Sequence, residues 1–127
     1  MSGPLSTHIA AQFEDAVGRT RDALTQEGFG VLTEIDVRAA LKSGLGVDME
    51  DYLILGACNP ALAHRAINEN REMGLLLPCN VDVYAVGDRT RVVAVNAGAM
   101  LGMVGNTALA PIAGQVQERL DRVLESL

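Results

Sequence analysis

Apolar residues recur along this chain with two periods, and the switches between them mark out the elements. Residues 4 to 10 suit a short first strand. From Gln12 to Gly28 the period is helical: Phe13, Ala16, Val17, Thr20 and Leu24 follow the i, i+3, i+4, i+7 rule and make one stripe. Glu14 and Asp15 fall in the first turn, where negative charge suits the positive end of the helix dipole, and Gly28 can close the helix in the left-handed conformation. The period then drops to two. In FGVLTEIDV, Phe29, Val31, Thr33 and Ile35 alternate with Gly30, Leu32, Glu34 and Asp36, which predicts a half-buried strand. Asp36 can cap a short helix through VRAALKS, stopped by Gly44 and Gly46, and acidic DMED leads to the apolar strand YLILGAC.

Asn59 is a good N-cap and Pro60 a good first helical residue, so a helix is predicted directly after Cys58. Leu62, Ala66, Ile67 and Met73 form its apolar stripe, and Gly74 closes it. LLLPCNVDVYAV and TRVVAVNA read as antiparallel strands joined at GDRT. Leu109, Ile112, Val116, Leu120, Val123 and Leu127 share one face of a last helix, and Pro111 sets its start near residues 107 to 111. The resulting order, βαβ(α)βαββα, predicts an α+β fold in one domain spanning residues 1–127. A single-layer, largely antiparallel sheet carries helices packed on one face. No glycine-rich phosphate loop follows a strand, which argues against a doubly wound dinucleotide-binding sheet.

Composition narrows the function classes. A net charge of -6, one lysine (Lys42) and scattered arginines exclude the clustered cations that nucleic acid requires. With 3% aromatic residues and no tryptophan there is no base-stacking platform either. No apolar run approaches the ~20 residues of a membrane helix, and the first residues lack the basic and apolar regions of an export signal. The expectation is a cytoplasmic protein without a membrane role, its two cysteines reduced.

The candidate chemistry gathers in ILGACNPALAHRA and GLLLPCNVDVY, where Cys58-Asn59 and Cys79-Asn80 repeat one dipeptide. Cys58 ends a strand just before a helix N-terminus, a place that can stabilise a thiolate or simply bury a small residue. Strand parity turns Cys79 to the apolar side, while Pro78 suggests an irregular entry that re-aims Cys79 and Asn80 toward a pocket. His64 lies on the helix face of Arg65, Asn68 and Arg71, away from the apolar stripe. A zinc site of Cys58, His64 and Cys79 lacks a fourth ligand and any paired spacing, so no metal site and no cofactor is assigned. NAGAMLGMVGN reads as a mobile flap or as a tight connection whose methionines fill apolar space. No Ser-His-Asp order, catalytic carboxylate pair or phosphate loop marks a hydrolase or kinase, and whether the chain is an enzyme is left open.

GFGVLTEIDV, ILGACNPALAHRA and GLLLPCNVDVY together resemble the domain-of-unknown-function 302 family, and the likeness runs over essentially the whole chain. The resemblance implies a compact α+β domain and a homodimer, and it implies no activity. Such proteins often carry Asp-Pro after the last strand, where this chain has Asn96-Ala97. A role needing a carboxylate there is in doubt, although Asn96 can still accept a hydrogen bond or cap a turn. The leading expectation is a homodimeric domain binding a small ligand or a partner near the Cys58 and Cys79 strand ends, with Asn59, Asn80 and Asn96 as further candidate contacts. The alternative is a thiol-dependent redox or sulfur-handling protein using Cys58 with Cys79.

Overall fold

The computed structural model describes residues 5–103 and 107–127, and within them the α+β architecture is as the pattern predicts. Five strands, β1 (Leu5–Ile9), β2 (Gly30–Asp36), β3 (Tyr52–Cys58), β4 (Cys79–Val86) and β5 (Arg89–Ala94), form one sheet in the order β1-β5-β4-β3-β2. Every neighbouring pair is antiparallel. Helices α1 (Phe13–Gln26), α3 (Pro60–Glu69) and α5 (Ala110–Glu125) cover one face, and the short α2 (Val37–Leu45) follows the edge strand β2. The core lies between sheet and helices. Leu55, Val81, Val83 and Val92 meet Ala16, Leu24 and Leu120, all fully buried.

Local chemistry explains several boundaries. Gly28, at φ 83°, turns the chain out of α1, and the Arg119 guanidinium donates to the Glu27 carbonyl beside it. Asp36 accepts from the Ala39 amide at 2.9 Å and starts α2, while Gly46, at φ 70°, ends it. Gly87, at φ 60°, makes the tight β4–β5 connection possible.

Four features depart from the sequence reading. First, β2 does not alternate cleanly. Val31 pairs with Ala57 but Thr33 pairs with Gly56, so Leu32 is an extra residue in a bulge. Thr33 and Ile35 therefore leave the face that Val31 shares with the core, and both are exposed. Second, α3 ends at Glu69, because Asn70 turns extended and its side chain accepts from the Glu72 amide. Met73 and Gly74 belong to the following 3₁₀ turn, Arg71–Leu76. Third, Leu75 precedes β4, which starts at Cys79, and is 85% exposed, so it does not share the apolar face of Cys79, Val81 and Val83. Fourth, the NAGAM segment is helical. Asn96 accepts from the Ala99 amide at 3.0 Å and opens α4 (Ala97–Gly102). The rest of the expected flap, residues 104–106, lies outside the described residues.

Candidate functional site

The C-terminal end of β3 runs straight into α3, and this junction forms one wall of an apolar cavity. Asn59 adopts an extended conformation and its Oδ1 accepts from the Leu62 amide at 3.2 Å, satisfying an otherwise free helix donor. Pro60 takes the first helical position, where its missing N–H is no loss. The amide nitrogen of Asn59 packs over Gly28, where an added Cβ would lie only 3.0 Å from it. The end of α1 and the start of α3 thus share this one side chain.

Below the junction, Gly56 lets two neighbours close on β3. A Cβ there would fall 2.1 Å from Thr33 Oγ1 and 2.8 Å from Pro78 Cγ. Pro78, which follows a cis bond from Leu77, leads into Cys79. Cys79 stands opposite Ala57 in the β3–β4 register, so Cys58 lies one residue beyond that pair, at the end of β3 where the chain turns into α3. The Cα separation of the two cysteines is about 6 Å from strand spacing and rise. Both thiols are free.

Cys58, Asn59 and Cys79 line the cavity with Phe29, Leu62, Met73 and Met100 among its other walls. The space inside that water centres can occupy is about 20 Å³, room for a single ion or a ligand of a few atoms. Among the described residues, no charged side chain contributes to the wall. Burial pushes both thiols up. Cys79, 6% exposed, rises to about 11, first through burial and then through the nearby Cys58, while Cys58 rises through burial alone. The thiolate stabilisation anticipated from the helix N-terminus is therefore outweighed by desolvation at Cys58.

The other sequence candidates fall elsewhere. Asn80 pairs with Gly56 on the opposite face of the sheet and its side chain is exposed. Asn96 caps α4, next to Ala97 in the cavity wall, and is not itself part of that wall. His64 is exposed and within hydrogen-bond distance of Asn68 on the outer face of α3, as its helical position predicts. No cluster of three or more His, Cys, Asp or Glu able to hold a metal occurs among the described residues. Met73 and Met100 are the site residues that sequence reasoning missed. One was assigned to the stripe of α3 and the other to a connection, and neither placement pointed at the cysteines.

Two further surfaces frame the site. On the sheet face opposite the helices, Tyr52 and Tyr84 stack with centroids 4.9 Å apart, and the Tyr52 hydroxyl donates to Asp82 at 2.9 Å. At the other end of the sheet a wider groove of about 550 Å³ is lined by Glu14, Asp15, Asp51, Asp88 and Arg89. It is an open polar trough, whereas the smaller cavity is lined by apolar side chains and both cysteines. No helix among the described residues is long and apolar enough to cross a membrane.

The model of the family described as "Domain of unknown function DUF302" matches residues 5–127. The crystal structure of an uncharacterized conserved DUF302 protein from Bacillus stearothermophilus is similar over 97% of this chain and 96% of its own. Its TM-score is 0.90 and its sequence is 31% identical. No curated protein matches the chain.

Proposed function

The chain belongs to the DUF302 family, and from that premise we propose that it is a homodimeric, cytoplasmic ligand-binding domain. The ligand is a species of a few atoms, held in the cavity where β3, α3 and the start of β4 meet. The observation that carries this reading is the cavity itself: an apolar space with both thiols of the chain in its wall and no charged group. Such spaces are few in a packed interior, because unfilled volume forfeits dispersion contacts. Xenon tests it in solution. Under xenon pressure, the methyl resonances of Leu62, Met73 and Met100 shift, while those of Val83 and Val92, buried in the sheet away from this wall, hold still. Uniform or absent shifts would refute an accessible cavity.

The homodimer has its own support. From Leu32 to Ile54 no residue is buried, although most of the stretch lies in β2, α2 and the start of β3. It contains Leu32, Ile35, Leu45 and Val47, exposed by 67, 51, 73 and 44%. Ordering such a segment without burial is unfavourable, and its length approaches the 20–30 residues per side of a standard interface. The unpaired edge of β2 can meet its own copy antiparallel across a two-fold axis.

A second reading, thiol redox between Cys58 and Cys79, draws support from the presence of both residues in one cavity wall. Oxidation with diamide would then give an intramolecular disulfide and the loss of two hydrogens from the mass. Cysteines that stay reduced under diamide, with the fold intact, would remove this reading.

A further inference from the structure

We propose that the cavity binds a cuprous ion, Cu(I), with the Cys58 thiolate and the thioethers of Met73 and Met100 as its ligands. This inference rests on the ligand-binding reading above and names the ligand. Both cysteines and two of the five methionines of the chain line this one small cavity. They come from four different elements: β3, the 3₁₀ turn, β4 and α4. Helix stripes and strand alternation do not require that convergence.

The donor set selects the metal. Thiolate and thioether ligands suit Cu(I), whereas calcium and magnesium need oxygen ligands and zinc prefers four thiolate, imidazole or carboxylate ligands. The nearest histidine in sequence, His64, is on the outer face of α3, and no carboxylate lines the cavity. Charge selects it again. A wall without charged groups tolerates an ion only as part of a neutral complex, which a monovalent ion and one thiolate make. A divalent ion would need both thiols ionised.

Cys58 is the thiolate because it is the more exposed of the two, whereas Cys79 is buried. As the copper–sulfur bond forms, the Cys58 proton leaves to solvent, and no electron is transferred. The thioethers add no charge. Met73 is fully buried and fixed, while Met100 on α4 is half-buried at the cavity wall. This gives the methionine of the NAGAM segment a role besides filling space.

The test is an anaerobic titration of the reduced full chain with Cu(I) in competition with bathocuproine disulfonate. Proton release is followed in weak buffer, and X-ray absorption reads the ligand atoms. The expected result is one ion per chain, one proton released per ion, and a coordination shell of sulfur only. Met73→Leu and Met100→Leu conserve volume and should fold, which the melting of each apo protein verifies. Each should weaken binding roughly tenfold or more, since even groups outside the ligand set contribute that much to metal affinity. Cys58→Ser should abolish proton release. A protein that takes no copper from the chelator, a shell containing nitrogen or oxygen, or unchanged affinity in both methionine variants would overturn the proposal. Xenon separates the two levels. Xenon entry without copper binding refutes the metal and leaves the ligand-binding reading intact, and failure of both removes the cavity as a site.

Discussion

Replacing Gly56 with alanine probes the junction beneath the cavity at its tightest point. The new Cβ would sit 2.1 Å from Thr33 Oγ1 and 2.8 Å from Pro78 Cγ, both closer than real Cβ contacts come. Thr33 is exposed and can turn its hydroxyl away, but the Pro78 ring is rigid and held between Leu77 and Cys79. Overpacking of this kind costs about 1 to 3 kcal/mol, and two contacts at once point to the upper end. Alanine returns about 0.5 to 1 kcal/mol by restricting the unfolded chain. The net loss is about 2 kcal/mol, which for a chain of this length lowers Tm by about 6 to 10 °C. Thermal and urea unfolding of the G56A protein measure it. A double variant, G56A with Thr33→Ala, should recover about half of the loss, whereas Thr33→Ala alone should lie within about 0.5 kcal/mol of the parent. A G56A protein that melts at or above the parent temperature would refute the reasoning. It would mean that the β2 bulge and the Pro78 entry are not held against β3 as described.

Other outcomes follow from the same geometry. Burial pushes the Cys79 thiol up to about 11 in the folded chain from its ordinary value of 9.0, so between those limits the folded state keeps a proton that the unfolded chain has lost. The stabilisation from Cys79 is therefore complete below pH 9 and declines as pH rises toward 11, by roughly 2 to 3 kcal/mol in all; urea melts at stepped pH should show that slope, and Cys79→Ala should reduce it, leaving the part that the raised Cys58 thiol and Tyr52 hydroxyl contribute. The Asp82 carboxyl is raised by burial and held down in part by the Tyr52 hydroxyl. Tyr52→Phe should thus move it further up in a carbon NMR titration, and a downward move would contradict the assignment. Asn59→Ala should lose about 1 kcal/mol through the missing α3 cap, and retained stability would show that the cap is dispensable. Ile35→Lys and Leu32→Asp should turn the proposed dimer into a folded monomer in sedimentation velocity, whereas a parent that already sediments as a monomer, or a dimer unchanged by both, would contradict this interface.

How much of this was legible in the sequence divides by the range of the interactions involved. Asn59-Pro60, Asp36 and Gly28 were read correctly, because a cap or a left-handed turn is decided within a few residues. The amphipathic stripes of α1 and α5 were read for the same reason, although Ala23 and Ala113 are buried beyond the residues named. The bulge at Leu32 was not legible. It depends on Gly56 in the next strand having no side chain to oppose Thr33, a contact between residues far apart in sequence. Met73 was misplaced because its spacing continues the stripe of α3 past Asn70, which ends the helix with its own side chain. Helix α4, six residues long, is too short to show a period. The cysteines could be singled out by type, but the two methionines beside them come together only through the fold.

The central claim is that a small accessible cavity lies between Cys58, Cys79, Met73 and Met100, and xenon-pressurised crystals test it most directly. The account predicts a xenon peak in contact with Leu62, Met73 and Met100 in the parent protein. The peak should be absent from Ala63→Leu, whose longer side chain fills the space from the same wall. A parent crystal with no xenon at this place under saturating pressure would contradict the claim.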